Sequence, residues 1–417
     1  MSSMIISGGR RLSGSVCVHG AKNAVLPILA ATLLTKNISV IKNCPNLSDV
    51  RHTIEILEFL GAKVSRKGDT LTIDTQNADG THIPDSLMLK MRSSVIFMGA
   101  ILARNGCAKI SAPGGCELGP RPIDLHIKAL KELGASIKEK HGYIMCSAKK
   151  LTGNTIYLKF PSVGATENVM LAASLASGET IISNAAKEPE ICDLAEFLNA
   201  MGANVSGAGS SEIRIIGKNE LSGSTHSVLP DRIVAATYLC CAASTGSEIL
   251  VNGIIPEQIS SAVSILRDMG CDIKAEKNSV YISAPKVLIA PEEIKTMPYP
   301  GFPTDVQSQF LSVLAKAKGT SIITENIFES RFRHTEELNK MGANITLAGR
   351  SAIVKGVPAL WGAKVSAHDL RGAASLIIAA LSAEGETEIK NIDYLDRGYE
   401  DFMENLNNLG ACIKRIY

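Results

Sequence analysis

The stretch Leu57-Glu58-Phe59-Leu60-Gly61-Ala62 combines the end of an amphipathic helix with a glycine and a small residue. Five close copies follow at intervals of 68 to 73 residues, with their glycines at Gly134, Gly202, Gly270, Gly342 and Gly410. Each glycine stands where a left-handed helix C-cap is needed. Six copies at a nearly constant period predict internal duplication of one supersecondary unit.

Each repeat also contains an earlier helix that is apolar on all sides, which predicts burial. These helices are predicted at 24–34, 93–103, 167–176, 233–243, 307–317 and 373–383. The later helix of a repeat, such as 49–60, carries charge on one face and is expected outside. Short alternating runs, such as 39–41, 70–73, 143–145 and 279–282, predict strands between the helices. The sequence therefore predicts an α/β fold.

The last repeat is incomplete, because only seven residues follow Gly410. We expect residues 4–7 and 15–19 to supply the missing strands. This predicts two domains of three repeats each, one formed by 21–229 and the other by 1–20 with 230–417. A cleft between two such domains is the default place for a ligand.

Composition excludes several classes of function. The 417 residues carry a formal net charge of +2, which offers no basic surplus to neutralise a nucleic-acid backbone. The N-terminal residues lack the apolar segment of a signal peptide, and runs such as 24–34 are too short to span a bilayer. Ten cysteines without metal-ligand spacing favour free thiols in a reducing cytoplasm and no metal site.

A second conspicuous stretch is Pro113-Gly114-Gly115-Cys116-Glu117-Leu118-Gly119-Pro120-Arg121-Pro122. Its glycines and prolines exclude a helix or a central strand. One interpretation is a mobile lid that brings the Cys116 thiol to a ligand, and the other is a surface loop with an incidental cysteine. The residues after it predict a helix start, with Pro122 in the first turn and Asp124 at the positive end of the dipole.

Charged residues recur at predicted helix starts. Before the inner helices these are Lys22, Arg92, Asp231, Arg232, Asp305, Asp369 and Arg371, and before the outer helices Arg121, Arg331 and Arg397. A cation at a helix N-terminus opposes the helix dipole, so several of them together indicate a phosphate or carboxylate site. The alternative is that each is a solvated charge or an ion-pair partner. Arg51, Arg333 and His334 are interpreted as surface or supporting residues.

Several motifs together carry a resemblance to a known family. They are Gly20-Ala21-Lys22-Asn23-Ala24, the Cys116 segment through His126, Phe160 to Thr166, Leu229-Pro230-Asp231-Arg232, Tyr299 to Asp305, His368-Asp369-Leu370-Arg371 and Asp396-Arg397-Gly398. Over essentially its whole length the chain resembles the UDP-N-acetylglucosamine enolpyruvyl transferases of the enolpyruvyl transferase family. The resemblance implies two inside-out α/β barrel-like domains, each of three repeated units.

The resemblance also implies a reaction. The enolpyruvyl group of phosphoenolpyruvate goes to the 3′-hydroxyl of UDP-N-acetylglucosamine and phosphate leaves, in the first committed step of peptidoglycan synthesis. It implies no metal and no cofactor. Cys116 matches the proton donor, and a thiol with an ordinary pKa of about 8.5 is mostly protonated at neutral pH. Asp305 matches the base.

The remaining site residues follow from the same resemblance. Lys22, Arg121 and Arg397 are expected to hold the carboxylate and phosphate of phosphoenolpyruvate, and Lys22 and Arg397 are counted as catalytic. The other expected substrate contacts are Asn23, Arg92, Pro122, Ile123, Asp124, Leu125, Ser162, Val163, Ile327, Arg331 and Arg371. Asp124 is equally well explained as a helix-start carboxylate.

Three alternatives compete with this hypothesis. The sister enzyme that acts on shikimate 3-phosphate shares the fold and the donor, but its family pattern has no cysteine loop. A catalytically silent relative that binds the UDP-sugar is disfavoured, because every expected polar residue is present. A non-enzymatic repeat scaffold would not single out Cys116 and Asp305.

Overall fold

The computed structural model of the chain describes residues 2–111 and 123–416, apart from the side chain of Arg92. The described residues separate into two compact units. One consists of 20–111 with 123–229, and the other of 2–19 with 230–416. Each unit has its own apolar core. None of the helices in the described ranges is long and apolar enough to cross a membrane.

Six inner helices form the centres of the two units. They are α1 (Lys22–Ala31), α4 (Phe97–Asn105), α6 (Val163–Ala173), α8 (Arg232–Thr245), α10 (Thr304–Leu314) and α12 (Leu370–Ser382). In the unit of 230–416, α8, α10 and α12 pack against one another. In the other unit α4 packs against α1 and α6. These helices are buried along nearly their whole length, because they are apolar on every side, as the sequence predicted.

The outer helices bury only one face. They are α2 (Ser48–Phe59), α5 (Asp124–Glu132), α7 (Pro189–Ala200), α9 (Ser260–Asp268), α11 (His334–Lys340) and α13 (Phe402–Asn408). A short helix, α3, covers Asp85–Met88. In α2 the buried positions include Thr53, Ile56 and Leu57, which share one side at helical spacing. Short 3₁₀ helices cover Thr32–Leu34, Arg92–Ile96, Pro256–Ile259 and Ile392–Arg397.

All six outer helices end in the same hydrogen-bonded turn. The glycine after each has a φ between 89° and 105°, which confirms the predicted left-handed C-caps. At Gly202 the N–H donates to the Asn199 carbonyl at 2.9 Å, and the Ala203 N–H donates to the Leu198 carbonyl at 3.0 Å. The same two bonds recur at the other five glycines. This is the Schellman motif, which satisfies carbonyls that the helix end leaves without partners.

The strands alternate with these helices. In the first unit they are β3 (Ile38–Lys42), β4 (Lys63–Lys67), β5 (Thr70–Asp74), β6 (Cys107–Ser111), β7 (Ser136–Lys140), β8 (Tyr143–Ser147), β9 (Thr155–Tyr157), β10 (Glu179–Ser183), β11 (Asn204–Ser206), β12 (Glu212–Ile216) and β13 (Thr225–Ser227). In the second unit they are β1 (Ser3–Ser7), β2 (Ser15–Cys17), β14 (Glu248–Asn252), β15 (Asp272–Glu276), β16 (Ser279–Ser283), β17 (Glu293–Lys295), β18 (Thr320–Thr324), β19 (Asn344–Ala348), β20 (Ser351–Lys355), β21 (Lys364–Ser366), β22 (Glu386–Lys390) and β23 (Ile413–Ile416).

Among the described residues, five sheets share one four-stranded topology, and the sheet of β6, β7 and β8 has its three antiparallel strands alone. Their orders are β13-β3-β5-β4, β6-β8-β7, β9-β10-β12-β11, β2-β14-β16-β15, β17-β18-β20-β19 and β21-β22-β1-β23. In each four-stranded sheet an edge strand pairs in parallel and the other pairs are antiparallel. Burial alternates along strands such as β14, so one face meets the apolar helices and the other is exposed. The helices are therefore inside and the sheets outside within each unit.

The two N-terminal strands have different places. β1 lies between β22 and β23 and pairs antiparallel with both, which confirms that the N-terminus completes the last repeat. β2 instead pairs in parallel with β14 of the fourth repeat, so its predicted place in the last repeat was wrong. The reason is that β23 already follows Gly410 and leaves one strand to be supplied, whereas the fourth sheet needs a parallel edge strand.

The C-cap glycines give a test of the repeat. A Cβ at Gly202 would meet nothing within 4 Å, whereas one at Gly61 would lie 2.4 Å from the Asn77 carbonyl oxygen. Gly202→Ala should lower the free energy of unfolding by about 1–2 kcal/mol through the left-handed backbone alone. Gly61→Ala should cost more, since about 1–3 kcal/mol of overpacking is added.

Chemical denaturation of the two alanine variants measures this difference. Gly202→Asn is the matched control, because asparagine tolerates the left-handed region and should recover part of the loss. Equal losses for Gly61→Ala and Gly202→Ala would contradict the close contact between Gly61 and the Asn77 carbonyl.

Candidate active site

Two buried arginines converge on one carboxylate in the unit of 230–416. Asp305 is the second residue of α10, Arg331 precedes α11 and Arg371 is the second residue of α12. Arg331 Nη2 lies 2.6 Å from Asp305 Oδ1, and Arg371 Nη2 lies 3.0 Å from Asp305 Oδ2. The arginine side chains are 2% and 3% exposed, and that of Asp305 is 25% exposed. The carboxylate thus has both oxygens held and still reaches the surface.

Arg371 stays charged despite its burial. Desolvation alone would lower its pKa, but the carboxylates of Asp305 and Asp231 and the hydroxyl of Tyr399 raise the pKa above its ordinary value. A buried cation is costly unless it is paired and hydrogen-bonded. A buried cation held in this way, beside a carboxylate that reaches the surface, indicates a functional site.

Two aspartates of the same region cap inner helices. Asp231 accepts from the N–H groups of Ile233 and Val234 at the start of α8. Asp369 accepts from the N–H groups of Arg371 and Gly372 at the start of α12. Carboxylates at these positions satisfy orphan donors and favour the helix dipole.

Glu325, which was not among the predicted site residues, fixes the backbone of the predicted contact Ile327. Its buried carboxylate accepts from the Ile327 N–H at 2.8 Å and from the hydroxyls of Thr296 and Thr304 at 2.9 Å. Thr304 is the first residue of α10, so one carboxylate fixes both the Ile327 loop and the helix start that carries Asp305. The one sequence signal for Glu325 is its position directly after strand β18, where an acidic residue often belongs to a site.

Arg397 lies two residues before Tyr399, which packs beside Arg371 in the same unit. Arg397 ends the 3₁₀ helix Ile392–Arg397 and is half-buried. Tyr399 follows two residues later, and the guanidinium carbon of Arg371 lies 5.6 Å from the centre of its ring. The structure therefore brings Asp305, Arg331 and Arg371 together, with Arg397 on the segment that Tyr399 anchors.

Lys22 lies in the other unit and has a buried partner. It opens α1, and its Nζ lies 2.7 Å from Oδ2 of Asp49, which is 1% exposed. Asp49 is the second residue of α2, where a carboxylate favours the helix dipole. The pair offsets the cost of a cation at the start of α1. The sequence predicted a helix at Asp49 but gave no signal for this pairing. Asn23 follows Lys22 and is half-buried.

The other predicted contacts of this unit lie at two helix starts. Asp124 is the exposed first residue of α5, which confirms the predicted helix start, and Ile123 and Leu125 pack partly against the apolar core. Ser162 caps α6 by accepting from the Ala165 N–H at 3.3 Å, and Val163 is the first residue of that helix. The N–H groups in the first turn of α6 are the kind that bind phosphates.

His126 joins these two helices. Asn168 accepts from the Gly99 N–H at 2.7 Å through Oδ1, so its Nδ2 faces His126 Nδ1 at 2.8 Å as the donor. The His126 proton therefore sits on Nε2. Burial lowers the pKa of His126 to about 4, against a smaller opposing effect of Asp124. A Cβ at Gly164, in the first turn of α6, would lie 3.2 Å from the His126 ring, so glycine permits this close approach.

Several sequence predictions are corrected or lie outside the described residues. Cys116, Arg121 and Pro122 lie outside them, as does the side chain of Arg92. Arg51 and Arg333 are exposed, as predicted. His334 is fully buried, so of the two positions expected for it the supporting one is confirmed and the surface one is not. It begins α11 against α12, and burial lowers its pKa to about 4. In the described ranges no group of three or more His, Cys, Asp or Glu is arranged to hold a metal ion.

The family model and two full-length relatives that match this chain are all described as 1-carboxyvinyltransferases. Residues 6–406 match the sequence model of the family described as EPSP synthase (3-phosphoshikimate 1-carboxyvinyltransferase). UDP-N-acetylglucosamine 1-carboxyvinyltransferase 2 of Caldanaerobacter subterraneus subsp. tengcongensis is 52% identical over 416 residues, which cover 100% of both chains. The UDP-N-acetylglucosamine 1-carboxyvinyltransferase of Geobacter metallireducens is 48% identical over 416 residues, again with 100% of both chains covered.

Solved structures share the fold. The enolpyruvyl transferase NikO from Streptomyces tendae has a TM-score of 0.90 at 26% identity, with 99% of this chain and 98% of that chain covered. EPSP synthase from Acinetobacter baumannii has a TM-score of 0.76 at 20% identity, with 99% of each chain covered. These likenesses confirm the fold class that the sequence predicted.

The buried imidazole of His126 predicts a pH dependence of stability. Its pKa is about 4 in the folded protein and about 6.5 in an unfolded chain, so the unfolded chain binds more protons between these values. Stability should therefore be lost as the pH falls through this window, by about 1.4 kcal/mol per pH unit from this group.

Unfolding free energies of wild type and His126→Gln at pH 6.5 and pH 4 measure the effect. The glutamine side chain takes up no proton, so the variant should lose less stability over the window. Parallel losses in the two proteins would contradict the burial of a neutral His126.

Proposed function

The chain belongs to the enolpyruvyl transferase family, on the branch of the UDP-N-acetylglucosamine 1-carboxyvinyltransferases, and from this membership we propose its reaction. It transfers the enolpyruvyl group of phosphoenolpyruvate to the 3′-hydroxyl of UDP-N-acetylglucosamine and releases phosphate. This is the first committed step of peptidoglycan synthesis. The observation that carries the proposal is identity near 50% over the full length of relatives named for this activity.

Asp305 is the base of this proposal. The 3′-hydroxyl must lose a proton as its oxygen attacks, and a fixed carboxylate within reach accepts it. Arg331 and Arg371 support the role, because each holds one oxygen of Asp305 and so restricts the carboxylate to one orientation. Its partial exposure leaves a path for the ligand.

Lys22, Arg121 and Arg397 bind phosphoenolpyruvate, with Arg92 and Arg371 in support. The substrate carries a carboxylate and a phosphate, which cations hold through charge-assisted hydrogen bonds. The ion pair with buried Asp49 fixes the position of the Lys22 ammonium group. The Arg121 guanidinium suits a phosphate, because it offers two parallel N–H donors. The assignments of Arg121 and Arg92 depend on the family resemblance alone.

Cys116 supplies the proton that the carbon needs. The 3′-oxygen bonds to C2 of phosphoenolpyruvate while the thiol proton bonds to C3. The bond from C2 to the phosphate oxygen then breaks and C3 loses a proton, which restores the double bond. The proton that C3 loses returns through water to the thiolate, which restores the thiol for the next turnover. The hydroxyl proton goes to Asp305 and leaves through water with the phosphate. Cys116 lies outside the described residues, so this role also depends on the resemblance.

The UDP-sugar lies along Asn23, Pro122 to Leu125, Ser162, Val163 and Ile327 in this proposal. Because Ile123, Leu125 and Val163 pack partly into the core, their contribution is mainly through backbone groups. The first turn of α6 suits the diphosphate, because the N–H groups there and the positive end of the helix dipole favour a phosphate. Asp124 is exposed, so it can contact the ligand and also stabilise the start of α5 through its charge.

We place the reaction in the cytoplasm. Nine cysteines fall within the described residues and all of them are free. Unpaired thiols in this number are typical of a reducing compartment.

Shikimate 3-phosphate is the competing acceptor, because the family model is described by that activity. Release of phosphate from phosphoenolpyruvate, measured with UDP-N-acetylglucosamine, with shikimate 3-phosphate and with neither, separates the candidates. We expect turnover with the UDP-sugar only. Turnover with shikimate 3-phosphate alone, or none with either acceptor, would refute the proposed function.

Substitution of the thiol tests the proton donor. Cys116→Ser should abolish turnover, because an alcohol is a far weaker acid than a thiol. Cys116→Asp should retain some turnover and resist an epoxide that alkylates the thiol, such as fosfomycin. Phosphate release before and after treatment with the epoxide measures both effects.

The exposed thiol of Cys107 provides the control, since Cys107→Ser removes an accessible cysteine that the proposal gives no role. This variant should keep both turnover and sensitivity to the epoxide. Wild-type activity that survives saturating thiol alkylation would show that the role of Cys116 is wrong.

A further inference from the structure

Tyr399 is buried beside the candidate base without being part of the family motifs. Its ring is 3% exposed and packs against Phe402 with 4.8 Å between ring centres. Its N–H donates to the Leu395 carbonyl at 3.0 Å, which fixes the turn that carries Arg397. The ring therefore has a packing role, and a phenylalanine would fill the same space. The hydroxyl needs a separate explanation, because burying it is costly unless it is hydrogen-bonded.

The direction of the hydrogen bonds around this hydroxyl is settled by its neighbours. Thr237 Oγ1 donates to the Ile233 carbonyl at 2.8 Å, so its hydrogen is already used. Tyr399 therefore donates its own hydrogen to Thr237 Oγ1 at 3.0 Å. The phenolic oxygen is left as an acceptor, and it accepts from Gln309 Nε2 at 3.2 Å. The Arg371 guanidinium packs against the same side chain, with its carbon 5.6 Å from the centre of the Tyr399 ring.

Both of these side chains also hold Asp305. Gln309 Nε2 donates to the Asp305 backbone carbonyl at 2.9 Å, and Arg371 Nη2 donates to Asp305 Oδ2 at 3.0 Å. The Gln309 amide cannot be reversed, since its oxygen would then face the Asp305 carbonyl oxygen. The Tyr399 side chain thus contacts both the group that holds the main chain of Asp305 and the group that holds its carboxylate.

We propose that the Tyr399 hydroxyl is a positioning group for the transfer reaction, which fixes the orientation of the Asp305 carboxylate through Arg371 and Gln309. The inference rests on the proposed function, because it assigns the base role to Asp305. Tyr399 is too deeply buried to touch a substrate, so it acts only through its neighbours. Burial also raises the pKa of the Tyr399 hydroxyl, against the opposing effect of Arg371, so the phenol keeps the proton that it donates.

Steady-state kinetics of Tyr399→Phe test the proposal. The variant keeps the ring that anchors the Arg397 turn, but it leaves Gln309 without its phenolic acceptor and removes the hydroxyl beside Arg371. A misplaced base slows the chemical step, so kcat should fall about tenfold to a hundredfold. The KM for phosphoenolpyruvate should stay within about twofold, because Arg397 and Lys22 keep their places.

Tyr238→Phe is the matched control. Tyr238 is also a buried tyrosine, and its ring packs against the same Phe402 with 5.2 Å between centres. Its hydroxyl accepts from Asn405 Nδ2 at 3.2 Å on α13 instead of joining the Asp305 contacts. Loss of this hydroxyl should lower thermal stability about as much as Tyr399→Phe does and leave kcat unchanged.

A second pair of variants keeps the test decisive if Tyr399→Phe folds poorly. Thr237→Val removes the acceptor of the Tyr399 hydrogen and should lower kcat as Tyr399→Phe does. Thr237→Ser keeps the oxygen and should have the kcat of wild type. A kcat of Tyr399→Phe within about twofold of wild type, or an equal loss in Tyr238→Phe, would overturn the positioning role. Failure of the proposed function is distinguishable, because wild type itself would then release no phosphate with UDP-N-acetylglucosamine.

Discussion

The left-handed turn after each outer helix is the constraint on which the rest of the fold depends. Only glycine adopts a φ near 100° without strain, and in this turn two hydrogen bonds close the helix and send the chain into the next strand. Because the turn recurs six times, each repeat returns an apolar helix to the interior and a sheet to the outside. The starts of successive inner helices then carry the charged side chains that the chemistry requires.

Burying those charges costs folding free energy, and packing alone gives no reason for charged residues at these positions. Arg331 and Arg371 are almost completely buried, and burial of a cation is favourable only with good partners. Asp305 provides a partner for both, and Asp49 does the same for Lys22 in the other unit. Apolar residues would fill these positions with less penalty. Their charges are therefore best explained by a reaction between anions, in which fixed cations and a fixed carboxylate need no reorganisation.

Much of this fold could be predicted from the sequence, because glycine spacing and apolar periodicity are local signals. The six C-caps, the buried inner helices and the insertion of β1 into the last sheet followed from them. The place of β1 could be predicted because the last repeat lacks strands after Gly410, whereas nothing in the sequence of the fourth repeat shows that its sheet lacks an edge strand, so the pairing of β2 with β14 could not be predicted. The site prediction also missed Asp49, Glu325 and Tyr399. Each is recognised by a contact that only the fold creates, and the buried position of His334 likewise depends on packing against α12.

In the proposed reaction a proton is added to C3 of phosphoenolpyruvate while Asp305 accepts the proton of the 3′-hydroxyl. The most direct measurement is NMR of the product formed from phosphoenolpyruvate and UDP-N-acetylglucosamine in D₂O. Transient protonation of C3 creates a methyl group that exchanges one hydrogen, so the account predicts an enol ether with deuterium in its vinyl methylene. An enol ether product free of deuterium at that carbon, even after prolonged turnover, would contradict it.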